Sequence, residues 1–208
     1  MSSIRCPALL SASLLLLVGC NSTGLDTTTQ LDMTPELGPE EMMAYMMELG
    51  SPNEHHAMLE PMAGKFRGEM TWQMEPNRPP TTSTGVMTAE WILGGRFLMS
   101  RWEGEFMGSP FEGLGITGYD NGQQCYVGTW MDSMGTQMAS ISTGTCDEGG
   151  KNFEFTRTMW DPMSQSSLGM REEIRVVDKD HHTFKMWIET PGGDEFQNAT
   201  IHYTRITD

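Results

Sequence analysis

The chain has 208 residues, 28 acidic against 13 basic side chains and a formal net charge of −15. With no basic stripe along it, that balance excludes nucleic acid or anionic headgroups as partners held by broad electrostatics. The acidity serves solubility instead.

The first twenty residues carry an export pattern. Arg5 supplies a thin positive region, and Ala8 to Val18 is a Leu-rich apolar run. That run is shorter than the roughly 20 residues a helix needs to cross a bilayer, so it reads as a cleaved signal. Leu17-Val18-Gly19-Cys20 matches the bacterial lipobox. The expectation is a signal over 1–19, an acyl lipid such as palmitate on Cys20, and attachment to a membrane of the bacterial envelope on the periplasmic side. Asn21 rather than Asp after the cysteine points to the outer membrane. Cys125 and Cys146 remain in a compartment that permits disulfides. A bridge between them would close a loop of about 20 residues and contribute about 3 kcal/mol; two buried free thiols are the alternative.

Residues 20–38 are rich in Thr, Ser and Asp and read as a flexible tether. Pro39 followed by two glutamates starts a helix that runs to Leu49, and Gly50-Ser-Pro52 breaks it. A second short helix is expected from Asn53 to Met62. Beyond Gly64 the hydrophobic period becomes two. Phe66, Met70, Trp72 and Met74 alternate with Arg67, Glu69, Thr71 and Gln73, and Met87, Ala89, Trp91 and Leu93 do likewise. The rhythm continues through Leu98–Trp102, Leu114–Ile116, Cys125–Val127, Phe153–Phe155, Met170–Val176, Phe184–Ile188 and Ala199–Tyr203. Gly94-Gly95, Asn121-Gly122, Gly149-Gly150, Asp161-Pro162 and Pro191-Gly-Gly-Asp194 supply turns between these runs. The pattern predicts an all-β domain over 39–208: an up-and-down antiparallel barrel of about ten strands, calycin-like. One or two short N-terminal helices are expected to cover one mouth. Closure is the simplest way for ten strands to avoid exposed edges.

Several segments add a resemblance. His56-Ala-Met-Leu59-Glu-Pro-Met62-Ala-Gly64-Lys-Phe66 is followed by Leu93-Gly-Gly-Arg-Phe-Leu98, Pro110-Phe-Glu-Gly-Leu-Gly115, Thr129-Trp-Met-Asp-Ser-Met134 and Tyr203-Thr-Arg205. In this order they resemble the bacterial family known as domain of unknown function 1579, with Phe66 where the family has Trp. The resemblance implies a lipocalin-like or fatty-acid-binding-protein-like barrel and carries over no catalytic residues. Gly64 to Gly68 also loosely resembles the opening of haem-binding nitrobindin barrels, which would give His202 an axial role; no cofactor is expected on that alone.

Two charges interrupt apolar rows. Arg157 lies between Phe155 and Met159, and Glu172 between Met170 and Ile174. A turn about Ser164 and Gln165 would set them directly opposite each other, with Cβ atoms about 5 Å apart. The pair reads either as a register-fixing ion pair or as an inward Arg fork that receives a ligand carboxylate while Glu172 orients it. Trp72, Trp91, Trp102 and Trp130 are candidates for an apolar ligand pocket, and barrel packing would explain them too. Of 20 methionines, Met42, Met43, Met46 and Met47 repeat at helical spacing on the first helix. A packed lid accounts for them better than a Cu(I) site. Histidine spacing supports no metal, and no nucleophile elbow or phosphate loop is present, so no catalytic residue is assigned. The expected function is binding of a small apolar or amphiphilic ligand in an envelope lipoprotein. A filled barrel with a structural or interaction role is the alternative.

Overall fold

In a computed structural model of the chain, residues 37–190 and 192–207 are described. The signal, Cys20 and the tether up to residue 36 lie outside them. Ten strands follow one another as hairpins: β1 Gly64–Trp72, β2 Thr81–Ile92, β3 Phe97–Phe106, β4 Ser109–Asp120 and β5 Cys125–Asp132. Then come β6 Ser142–Cys146, β7 Asn152–Asp161, β8 Ser166–Val176, β9 His181–Glu189 and β10 Glu195–Arg205. Each pairs with its sequence neighbour, and β1 meets β10 from Phe66↔Arg205 to Trp72↔Ala199, so the barrel closes and every strand finds two partners. Closure thus gives each described strand a partner on both sides and removes the two edges of an open sheet.

Side-chain alternation sorts each strand into an inner and an outer row. On β1, Phe66 and Gly68 are buried while Lys65, Arg67 and Glu69 are exposed. β6 was not among the runs named from the sequence, because Ser142-Thr-Gly-Thr-Cys146 carries little apolar contrast. A register shift between Gln197 and Ala199 lets β10 bend against β9.

One end of the barrel is plugged. The predicted second helix is instead a four-residue α2, Glu54–Ala57, followed by a 3₁₀ turn, Glu60–Met62. Pro61 sits early in that turn, where its missing N–H costs nothing. Asn53 caps α2: its side chain accepts from the His55 N–H at 3.0 Å while its own N–H donates to His56 Nδ1 at 3.1 Å. Leu59, fully buried, drops into a core with Met62, Ala89, Leu98, Tyr126, Phe153 and Val176. Tyr126 secures the plug by donating to the His55 carbonyl at 3.0 Å. Arg205 locks the plug to the last strand. It donates to the Ala63, Pro61 and Lys179 carbonyls at 2.8–2.9 Å and lies over the Phe66 ring.

The first helix, α1 Pro39–Leu49, corrects an expectation. It buries no side chain, and its four methionines are 46–67% exposed. Leu59, Met62 and His56 already fill the mouth, so α1 has nothing left to cover. It is held at its C-terminal end, where Asn121 donates to the Leu49 and Ser51 carbonyls at 2.8 and 2.9 Å.

The expected disulfide is absent: Cys125 and Cys146 are free thiols. The cause is register. Tyr126↔Gly144 puts those two residues on the inner face, which makes Cys146 inward and Cys125 outward. Cys146 accordingly packs against the core beside Tyr126, and burial pushes its thiol up to about 11.

Candidate functional site

Away from the plug the inner wall is built of large rings laid over glycines. A Cβ at Gly68 or Gly85 would collide with the Trp102 ring, one at Gly104 with the Thr84 carbonyl and the Gly85 backbone, and one at Gly113 with Trp130. Gly68, Gly85 and Gly113, on β1, β2 and β4, let two indoles lie along the wall where a side chain would hold them off. Trp102 is buried and packs with Phe66, Met87 and Tyr203, with Trp130, Phe111, Phe184 and Ile201 against the same cluster. Trp130 donates its indole N–H to Asp132 at 2.9 Å. Nearer the open mouth, Trp72 meets Phe106 edge-on at 4.9 Å, and Phe106 packs on Phe111 at 5.6 Å.

Arg157 projects inward from β7 and Glu172 from β8, and the two form an ion pair at 2.5 Å with side chains only 8% and 11% exposed. Their alignment differs from the one predicted. Arg157 pairs with Met170 and Glu172 with Phe155, so the two charges meet diagonally. The ladder ends at Asp161↔Ser166, around a tight turn in which Asp161 accepts from the Met163 and Ser164 N–H groups. The turn centres one residue earlier than expected, which moves the pairing by two residues, and the Arg side chain is long enough to span the offset. Burial pushes the Glu172 carboxyl up, and the Arg157 guanidinium opposes this.

Four polar atoms of the inner rows are buried with no hydrogen-bond partner among the described residues: Arg157 Nε, Trp102 Nε1, Ser83 Oγ and His182 Nδ1. Two of them can only donate. A buried unpaired donor costs about 1–3 kcal/mol, so such a set is either strain or an invitation to acceptors from outside the chain.

The remaining candidates lie elsewhere. Trp91 is at the plugged end, donating to Glu60 at 2.6 Å. A further indole on β9, Trp187, faces outward under Arg171, whose guanidinium stands 3.8 Å from the ring centre. His202 is exposed on the outer face of β10, which removes it as a ligand to anything held inside. His182, on the inner row of β9, is buried. It stacks on Tyr203 at 4.4 Å and meets Phe66 edge-on at 4.6 Å. Burial, helped by the nearby Arg205 charge, lowers its pKa to about 4. Its inner-row position was legible; Tyr203 and Phe66, distant in sequence, were not legible as its neighbours. Among the described residues no group of His, Cys, Asp or Glu is placed to hold a metal ion. A cleft of about 230 Å³ opens at the plugged end beside Leu49, Arg96, Phe97 and Asn121. The Asn121 amide there is already engaged with the two backbone carbonyls that hold α1.

The mouth opposite the plug is fringed with exposed methionines. Met74, Met107, Met134, Met138 and Met163 lie on the loops β1–β2, β3–β4, β5–β6 and β7–β8, all at least 49% exposed. Met107 occupies a left-handed position (φ 52°) in the two-residue turn before Gly108, where Asn or Asp is the usual choice.

No curated protein matches the chain. Among solved structures, the crystal structure of Rv2717c from M. tuberculosis is similar, with a TM-score of 0.52 and 14% identity over 76% of this chain and 100% of that one. At that identity the likeness concerns the fold alone. A redesigned β-barrel, b11L5F_LGL, aligns at 13% identity over 76% of this chain and 99% of its own, with a TM-score of 0.38. The family described as "Protein of unknown function (DUF1579)" matches residues 51–205, which takes in all ten strands, and the chain belongs to that family.

Proposed function

We propose that this protein is a lipid-anchored binding barrel of the bacterial envelope, which takes up a small amphiphile carrying a carboxylate. The observation that carries the reading is Arg157: a buried guanidinium on the inner wall, paired on one side with Glu172 and unpaired at Nε. An Arg fork suits a planar anion, and a carboxylate would supply acceptors that Glu172 alone does not. The apolar part would lie against Trp102, Trp130 and Phe184, and Met, soft and adaptable, suits a rim that passes varied apolar groups. The lipobox at Cys20 supports the anchor, and Asn21 supports the outer membrane.

The test is a titration of intrinsic fluorescence with saturated fatty acids of graded length and with the matching alcohols. Binding of the acids, with the preference over alcohols reduced about tenfold in Arg157→Met, is the expected result; a factor of ten is about 1.4 kcal/mol, within the range of one charge-assisted hydrogen bond. Silence across both series would favour the second reading, a filled barrel with a structural role. The indoles pressed against wall glycines are what speak for that alternative.

A further inference from the structure

On α1, Met42, Met43, Met46 and Met47 span an arc of about 140° at 100° per residue, and Glu40 and Glu48 lie outside that arc. The helix is amphipathic, yet its apolar face covers nothing in the described barrel, with Met47 67% exposed. Exposed apolar faces of this kind mark interaction surfaces. What stands next to this one is set by the chain before it: from Cys20 to Pro39 the polypeptide reaches at most about 65 Å, so a lipid on Cys20 would keep α1 close to the bilayer at high effective concentration. Leu93, 69% exposed, lies on the β2–β3 turn at this same end of the barrel.

We propose that the methionine face of α1 docks on the bilayer to which Cys20 is tethered, so that the plugged end of the barrel faces the membrane and the methionine-fringed mouth faces away. The inference rests on reading Cys20 as lipidated. Helices that lie in the interface this way bury an apolar face and keep their charges in the headgroup region. The glutamates of α1 and the net charge of −15 select a zwitterionic surface over an anionic one.

The test is methionine oxidation by dilute peroxide, read by peptide mass spectrometry. The full chain is purified from its host and reconstituted in phosphatidylethanolamine–phosphatidylcholine vesicles, with Met163, 92% exposed at the mouth, as internal standard. Vesicles are expected to slow oxidation of the α1 methionines at least fivefold and leave Met163 unchanged. Added phosphatidylglycerol is expected to weaken the protection. A lipid-bearing Cys20 with α1 oxidised as fast as Met163 would overturn the docking and leave the anchor standing. Protection at the mouth instead would reverse the orientation and overturn it too. Protection without vesicles, growing with protein concentration, would name a second copy as the occupant. A Cys20 peptide at its unmodified mass would remove anchor and docking together.

Discussion

Arg157 has more donors than the described chain gives it acceptors. Its partner Glu172 is buried with it, and breaking such a pair leaves an uncompensated charge, typically at a cost of 3–5 kcal/mol. Arg157→Ala is therefore expected to lower the urea midpoint strongly, whereas Arg157→Met with Glu172→Met should hold wild-type stability within about 1 kcal/mol or exceed it. Equal losses in the two variants would mean that the pair holds the barrel together and is not a device for something it receives. Both charges were legible as breaks in apolar rows. Their diagonal meeting was not, because it depends on where Asp161 closes its turn.

His182 sets a second expectation at this scale. Its folded pKa of about 4 lies below the ordinary 6.5, so its contribution to stability is present above pH 6.5 and is lost as pH falls through about 4. The loss at the acid end is about 3 kcal/mol. His182→Phe, which keeps the stack on Tyr203, should flatten the acid limb of the urea midpoint between pH 6.5 and 4. An unchanged limb would assign it to other groups.

Among the elements, the strands were readable wherever bulky and charged residues alternate, as in β1 and β2. β6 was hidden because serine, threonine and glycine give no contrast between faces. The inner-wall glycines were hidden too. Nothing in the sequence marks Gly68 and Gly85 as neighbours of one ring, and only the folded barrel shows that they seat Trp102. Gly85→Ala should therefore destabilise by about 1–3 kcal/mol, as overpacking does, and should shift Trp102 emission. A neutral effect on both would mean that the ring has other room. α1 was misread for a related reason. An amphipathic pattern says that a face wants cover but not which surface supplies it, and the plug leaves none on the barrel.

For the whole molecule, closure was legible because successive hairpins with turn chemistry between them leave few alternatives to a barrel. The cysteines show the limit of that reasoning. The export pattern and the two remaining cysteines suggested a bridge, yet one residue of register places the two thiols on opposite sides of the sheet. The same limit applies to the interior, where the sequence named the tryptophans together and the structure separates Trp91, at the plug, from Trp102 and Trp130. What unites the remaining features is a closed wall, apolar over most of its inner face, with unmatched donors set into it.

Native mass spectrometry of protein purified from its own host tests this most directly. Wild-type protein is expected to retain a small molecule that the Arg157→Met, Glu172→Met protein has lost. Wild-type protein flying at the mass of its covalent chain, with nothing retained, would contradict the account.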